Sequence, residues 1–363
     1  DSLACLQYTG GTTGVSKGVM LTHSNLSCNV QQIIAWFPTF KRGNLVGLGV
    51  LPFFHIFGMT AVMNYCIWQG FTDVLIPKPE PHTILEAVKK HNVGFFPAVP
   101  TMYVGVLNYP KLHKYDLSSI KGCFSGAAPL PLEVIKEFEK KAGAEICEAY
   151  GLSETSPAAT INPYGGVRKS GSIGVPVPDT DMMVVDLDEG TKEMAVGEPG
   201  ELIIRGPQVT SGYFNMPDET ALTIRDGWLY TGDIAQLDED GYIFIVDRKK
   251  DMIIAGGYNI YPRDIDEVLF EHPKVLEACA IGIPDEYRGE TVKVFIVTKP
   301  GETLTEEEVI AYSKEKLAKY KVPQYVEFIS ELPKSGVGKI LRKELRQMEL
   351  EKIAAKKKEA STT

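Results

Sequence analysis

Between residues 45 and 149 the chain repeats one pattern, a short apolar run followed by a longer helical stretch. Apolar runs at 45–51, 74–76, 93–96, 120–125 and 145–149 alternate with helical patterns at 58–68, 83–91, from 100 onward, and 132–142. Antiparallel neighbours need only a tight turn, whereas parallel ones need a crossover of helix length, so this alternation predicts a parallel sheet with helices packed on it. Ligands of such sheets gather past the carboxyl ends of the strands. Counting a first apolar strand at 3–8, those ends read Gly10-Gly11, Phe53-Phe54-His55, Ser125-Gly126-Ala127-Ala128 and Tyr150-Gly151-Leu152-Ser153-Glu154. All are small, polar or aromatic. Taken singly, His55 reads as an ordinary loop histidine, Glu154 as a helix-start carboxylate and Tyr150 as core; their convergence is what carries information.

The first of these ends opens a run of unusual composition. Thr9-Gly10-Gly11-Thr12-Thr13-Gly14-Val15-Ser16-Lys17-Gly18 holds four glycines, three threonines and a lysine. Glycines let successive N–H groups turn inward, hydroxyls add donors and lysine adds a positive charge, which suits an anion such as phosphate. The alternative is a flexible turn. Gly14 is followed by Val-Ser-Lys, so the run is not a Walker loop. Thr22 to Asn25 then offer caps for a helix through about residue 36.

The net charge of −9 leaves no broad basic footprint and argues against nucleic acid as a partner. Six cysteines without a CxxC pair fit neither a disulfide framework nor a metal cluster, and point to a reducing compartment. Residues 44–72 carry no charge between Asn44 and Thr72, but Pro52, His55, Asn64, Gln69 and four glycines interrupt the run, which predicts a buried strand, a loop and a buried helix instead of a membrane span. The start, Asp1-Ser2-Leu3, has no basic n-region, and the expectation is a chain cut from a longer one.

From residue 171 the texture changes to short strands with Gly, Pro and Asp turns, at 172–176, 182–185, 200–204 and near Tyr213, the pattern of a small antiparallel barrel. Two apolar runs, 242–246 and 252–255, flank five consecutive charges, Asp247-Arg248-Lys249-Lys250-Asp251. Unpaired, such a knot is excluded from a core and belongs at a surface or a seam between domains. Beyond it Pro262 opens a helix, strands follow at 275–281, 292–297 and 326–329, and Thr305 with Glu308 caps a helix to about residue 319. A loop at 332–340 presents lysines, which sequence alone does not separate from a solvated basic turn.

Several stretches, in one order, are similar to a known family: LQYTGGTTGVSKGVMLTH, LPFFHIFG, SGAAPL, YGLSET, SGSIGVPVP, GWLYTGDIA, VDRKKDMIIAGGYNIYP and LPKSGVGKILRKEL. The chain resembles the adenylate-forming acyl-CoA synthetases, and among them the long-chain fatty-acid–CoA ligases, over roughly their last two-thirds. Glycine stands at Gly11 where the family usually has serine, Ser16 where it has proline, and Ser153 where threonine is commoner.

The resemblance implies an α/β fold: a parallel-sheet βα part over 1–165, an antiparallel β-barrel over 166–247, a hinge at 248–250, a C-terminal α+β lid domain over 251–350, and a basic, disordered tail over 351–363. It implies a two-step ligase that uses ATP, Mg²⁺ and coenzyme A to make a fatty acyl-adenylate and then a thioester. Thr9, Gly10, Gly11, Thr12, Thr13, Gly14 and Lys17 would wrap the β- and γ-phosphates. Gly126, Ala127 and Ala128 would bound the adenine, with Tyr150 stacked on it beside Gly151. Ser153 would touch the α-phosphate, Glu154 would hold Mg²⁺, and Asp233 with Arg248 would take the ribose hydroxyls. His55 would sit by the acyl carboxylate, Lys339 would bridge it to the α-phosphate, Lys250 would be the pivot and Gly257 would line the CoA entrance. A cytoplasmic location, peripheral to the inner face of the membrane, and a homodimer complete these expectations. Aryl or medium-chain acids, a carrier-protein thiol, and a non-catalytic nucleotide-binding piece are the alternatives.

Overall fold

The computed structural model describes residues 1–9, 16–334 and 340–361, with the side chains of 356–361 outside that description. The chain divides into two compact units, one of Asp1–Thr231 with Ala235–Ile245 and one of Gly232–Ile234 with Val246–Thr363.

The first unit opens on β1 (Leu3–Thr9) and β2 (Lys17–Thr22), an antiparallel hairpin with Thr9 opposite Lys17. This corrects the sequence reading, in which the first strand feeds the parallel sheet and residues 17–22 are not a strand. Thr22 caps α1 (His23–Trp36) through a reciprocal pair of bonds with Asn25. The βα alternation then runs through β3 (Val46–Gly49), α2 (Ile56–Gly58), α3 (Tyr65–Gln69), β4 (Thr72–Leu75), α4 (Pro81–His91), β5 (Phe95–Ala98), α5 (Pro100–Leu107), β6 (Gly122–Ser125), α6 (Leu132–Ala142) and β7 (Glu145–Gly151). The helix expected at 58–68 is present and continuous from 56 to 69, but its middle, Met59–Asn64, is wound as a π-helix between α2 and α3. Thr60, Ala61, Val62, Tyr65 and Cys66 are buried, as expected.

β8 (Ala158–Ile161) and β9 (Val175–Pro176) complete a seven-stranded sheet of order β4-β3-β5-β6-β7-β8-β9. The pairs among β4, β3, β5, β6 and β7 are parallel, as the alternation predicts, and β7–β8 and β8–β9 are antiparallel. β9 therefore belongs to this sheet and not to the small antiparallel one. Its core is aromatic, with Phe37, Tyr65, Phe95, Phe96, Tyr103, Phe124 and Phe138 all but inaccessible.

β10 (Asp181–Val185), β11 (Gly200–Arg205), α7 (Pro217–Thr223), β12 (Ile224–Arg225), β13 (Trp228–Leu237) and β14 (Ile243–Arg248) follow. The five strands form one sheet of order β10-β11-β13-β12, with β14 on β13. Tyr213, expected in a strand, makes only an isolated bridge to Val19.

The second unit contains β15 (Ile253–Ala255), β16 (Tyr258–Ile260), α8 (Pro262–Phe270), β17 (Val275–Asp285), β18 (Gly289–Thr298), α9 (Glu306–Lys316), β19 (Tyr325–Phe328) and α10 (Arg342–Ser361). Its sheet runs β16-β15-β18-β17, and β19 adds to β18 in parallel. Helix α10 passes through the stretch expected to be a disordered tail. Its Ala-, Lys- and Glu-rich sequence has high intrinsic helix propensity, and Leu345, fully buried, anchors its first turns beneath β17 and β18.

Among the described residues no helix is long and apolar enough to cross a membrane. All six cysteines are unbridged; Cys66, Cys123, Cys147 and Cys279 are buried, Cys5 and Cys28 half-buried.

Candidate functional site

The carboxyl ends of β3, β6 and β7 and the β1–β2 hairpin supply the site's residues in the first unit. A small core joins two of these elements: Val19 and Leu21 of β2 pack with Ile56, next to His55, and with Tyr213. The hairpin is tied further by the Gln7 side chain, which donates to the Phe54 carbonyl at 2.8 Å, and by Phe214 N–H, which donates to the Gly18 carbonyl at 2.8 Å.

His55 ends the loop after β3 and caps α2, its Nδ1 accepting from Phe57 N–H at 3.2 Å. A ring nitrogen that accepts carries no proton, so this bond places the imidazole proton on Nε2. The neighbouring Phe54 is 76% exposed. Phe57 in turn approaches Gly126, where a Cβ would stand 3.3 Å from the Phe57 ring and 3.5 Å from the Ala149 carbonyl. Ala127 follows in the left-handed region at φ 70°, and Ala127 and Ala128 are exposed. Two methyl side chains after a glycine leave little side-chain bulk at the end of β6.

At the end of β7, Tyr150 packs against the core of the small sheet and Gly151 lies against Pro157 with no room for a side chain. Ser153 and Glu154 then form a short 3₁₀ turn, both half-buried. The Glu154 carbonyl accepts from Thr210 N–H at 2.8 Å, and its carboxylate Oε1 accepts from the Tyr213 hydroxyl at 2.8 Å. Burial, with the charge and hydrogen bond of Glu154 adding to it, pushes the Tyr213 phenol well above its usual pKa, so it stays a protonated donor. Lys17 lies over the same ring, its Nζ 5.2 Å from the ring centroid, and pairs with Glu219 of α7. One tyrosine thus touches both a cation and a carboxylate.

The second unit holds Asp233, Arg248, Lys250 and Gly257. The Asp233 carboxylate, 3% exposed, pairs with Arg248 Nε at 2.6 Å. Lys250 is exposed in a turn whose Arg248 carbonyl accepts from Asp251 N–H at 3.0 Å and Met252 N–H at 3.1 Å. Gly257 lies at φ 82° in the turn between β15 and β16, open to solvent. Gly10, Gly11, Thr12, Thr13, Gly14 and Lys339 lie outside the described residues. The stem of the 332–340 loop is described, with Lys334 bridging Ile340 and Leu341 N–H donating to the Pro333 carbonyl at 2.8 Å.

Residues 1–214 match the model of the AMP-binding enzyme family, and residues 264–339 that of the AMP-binding enzyme C-terminal domain. The chain belongs to the AMP-binding enzyme family. It is 52% identical over 350 residues to a protein of Bacillus subtilis (strain 168) named long-chain-fatty-acid–CoA ligase, covering 96% of this chain and 62% of that one. A protein of Escherichia coli O157:H7 with the same name is 44% identical, over 95% of this chain and 62% of its own. The chain therefore spans under two-thirds of the length of these relatives. Among solved structures, ATP-bound MatB from Rhodopseudomonas palustris aligns with a TM-score of 0.89 at 34% identity, over 96% of this chain and 68% of that one. MenE from Bacillus subtilis, in complex with the acyl-adenylate OSB-AMP, aligns at 0.84 and 31%, over 95% and 69%.

Two parts of this member of the family escape a reading of its sequence. Tyr213, which engages Glu154 and Lys17, reads as a strand residue, and nothing in the sequence singles out Glu219, the partner of Lys17. In the charged knot Asp247 is buried, its carboxylate accepting from Arg248 N–H at 2.6 Å and Arg263 N–H at 2.7 Å. Burial raises its pKa, opposed by Arg342 and by those two backbone bonds.

Proposed function

We propose that the protein activates a long-chain fatty acid with ATP, forming an acyl-adenylate and pyrophosphate, and then passes the acyl group to the thiol of coenzyme A. The observation that carries this is the cluster of Lys17, Tyr213 and Glu154, joined by the tyrosine's ring and hydroxyl. The difficulty of the first step is bringing a carboxylate against a polyanionic triphosphate. Fixed cations and oriented donors answer that difficulty better than covalent catalysis. In this reading Thr9, Lys17 and the run from Gly10 to Gly14 bind the β- and γ-phosphates, and Lys17 exchanges Glu219 for phosphate. Gly126, Ala127 and Ala128 bound the adenine, Tyr150 stacks on it beside Gly151, and Ser153 donates to the α-phosphate. His55, its proton on Nε2, faces the acyl carboxylate. Asp233 with Arg248 binds the ribose hydroxyls, Lys339 neutralises the carboxylate and α-phosphate as they meet, Gly257 borders the path of CoA, and Lys250 is the pivot.

Among the described residues no group of three or more His, Cys, Asp or Glu side chains could hold a metal ion alone. Mg²⁺ is habitually held by one or two carboxylates together with substrate phosphates, so a single half-buried carboxylate at Glu154 fits it. Bound there, the ion would neutralise charge on the phosphates. The names of the 52% and 44% identical relatives support a long acyl chain. The reading also carries a cytoplasmic homodimer that meets the inner face of the membrane to take up its substrate; six unbridged thiols suit a reducing compartment. Sedimentation and vesicle flotation check the dimer and the membrane contact.

The decisive experiment is acid-dependent pyrophosphate exchange by the full-length protein with palmitate and with an aryl acid. Palmitate should drive exchange, and Glu154→Gln should slow it by one to two orders of magnitude, since a neutral amide is a poor ligand for a hard divalent ion. Exchange driven only by the aryl acid would remove the long-chain assignment. No exchange with either acid would leave a nucleotide-binding protein without this chemistry.

A further inference from the structure

Lys17 and Glu154 present a difficulty that the proposed function does not resolve. They carry opposite charges in a half-buried place, and left to themselves they would pair, cancelling the cation offered to phosphate and the carboxylate offered to metal. Tyr213 touches both, and Lys17 itself pairs with Glu219. Its ring, 5% exposed, lies beneath the Lys17 ammonium at 5.2 Å, close enough for a cation–π attraction. Its hydroxyl donates to Glu154 Oε1 at 2.8 Å. The residue cannot readily move: its N–H donates to Thr220 Oγ1 at 2.9 Å, its backbone bridges Val19, and its ring is packed by Val19, Leu21 and Ile56. The Thr220 hydroxyl also donates to the Met216 carbonyl at 2.9 Å, fixing the turn that leads into α7, which carries the Glu219 partner of Lys17.

We infer that Tyr213 is a positioning residue: its hydroxyl aims the Glu154 carboxylate, and its ring keeps Lys17 from collapsing onto it. The inference rests on the reading of Glu154 as metal ligand and Lys17 as phosphate cation. A carboxylate has about four lone-pair sites; a donor fixed on one oxygen sets the direction of the rest. The two jobs separate by substitution. Tyr213→Phe keeps the ring and removes the hydroxyl, whereas Tyr213→Leu removes both.

The test uses the full-length protein and measures binding as well as turnover: Mn²⁺ affinity in the presence of ATP by electron paramagnetic resonance, and ATP affinity in EDTA by calorimetry. Tyr213→Phe should melt as the parent does, bind metal-free ATP normally, and lose roughly tenfold in Mn²⁺ affinity, the weight of one hydrogen bond to a charged group. Glu154→Gln should lose more, and the Tyr213→Phe/Glu154→Gln double variant no more than Glu154→Gln alone, because the hydroxyl acts only through that carboxylate. Tyr213→Leu should also weaken metal-free ATP binding. Parental Mn²⁺ affinity in Tyr213→Phe beside a loss in Glu154→Gln overturns the positioning role and leaves the metal site standing, as do losses that multiply in the double variant. Parental Mn²⁺ affinity in Glu154→Gln itself removes the metal reading, and the positioning role with it.

Discussion

Gly151→Ala is the smallest change that should dismantle the site from within. Gly151 is not in the left-handed region, so space alone forbids a side chain there. A Cβ would stand 1.8 Å from the Pro157 carbonyl oxygen, 2.6 Å from its carbon and 3.3 Å from Ala158 Cα. Ordinary contact begins at 3.4 Å, so the two backbones would have to part by the difference, 1.6 Å. Neither is free to yield cheaply. Leu152 N–H bonds the Pro157 carbonyl at 3.2 Å, while Ala158 is held on both sides by Asn29, whose side chain accepts from its N–H at 3.0 Å and donates to its carbonyl at 2.7 Å. The movement therefore falls on Tyr150, Ser153 and Glu154. Overpacking costs about 1–3 kcal/mol when side chains can adjust, and a clash of backbone with backbone belongs at the top of that range. Taken as about 3 kcal/mol, it lowers the melting temperature by roughly 6–12 °C for a unit of this size. Misplacing catalytic groups by about 1 Å can cost 10²-fold in rate, so acid-dependent pyrophosphate exchange should fall by at least that factor. Gly143→Ala is the control: it sits at φ 67° with nothing within 4 Å, so it should cost about 1 kcal/mol of backbone strain and leave exchange untouched. Calorimetry and exchange on the same preparations decide. A Gly151→Ala protein that melts within a degree of the parent and exchanges at the parental rate would refute the steric argument.

Two further outcomes follow from other parts of the chain. Asp73 of β4 has a buried, unpartnered Oδ1, and burial lifts its carboxyl from 3.8 to about 6. The folded state then holds its proton where the unfolded state has lost it, so this group's contribution is complete below about pH 4 and is lost as pH rises through about 6; Asp73→Asn should remove about 1–2 kcal/mol of that slope in urea unfolding, after allowance for partial exposure, and an unchanged slope would refute it. Proline at Lys250 would fix φ near −65° in the turn closed on the Arg248 carbonyl; in the full-length enzyme Lys250→Pro should leave adenylation within about tenfold while thioester formation falls much further, and equal losses in the two half-reactions would place the pivot elsewhere.

The βα alternation is legible because β3, β5 and β6 are buried almost throughout and so read as apolar runs with period-free hydrophobicity, although the edge strand β4 keeps Thr72 and Leu75 exposed. Other elements hide for physical reasons. β13 is ten residues long, yet Gly232 at φ 69° and the buried acid Asp233 interrupt it, so it does not read as a strand. β2 hides behind the polar run that precedes it, and the π-helix behind an uncharged, mostly apolar sequence that fits any helix. Of the knot of charges only Asp247 is buried, because two backbone donors are at hand for its carboxylate. Among site residues, those carried by small-residue turns are visible, since few other roles call for such turns. Tyr213 is not: a tyrosine among apolar neighbours looks like packing until the partner of its hydroxyl is known.

The buried cysteines give the molecule a property of its own. Cys66, Cys123 and Cys147 lie in the first unit and Cys279 in the second, and burial pushes all four thiols up, Cys147 and Cys279 to about 12. Thiolate is the reactive form, so an alkylating agent meets them only when the structure around them opens. A pulse of iodoacetamide along a urea gradient, read peptide by peptide, would clock the opening of each unit separately in one unlabelled, unmutated sample, with half-buried Cys5 and Cys28 marking the early end of the scale.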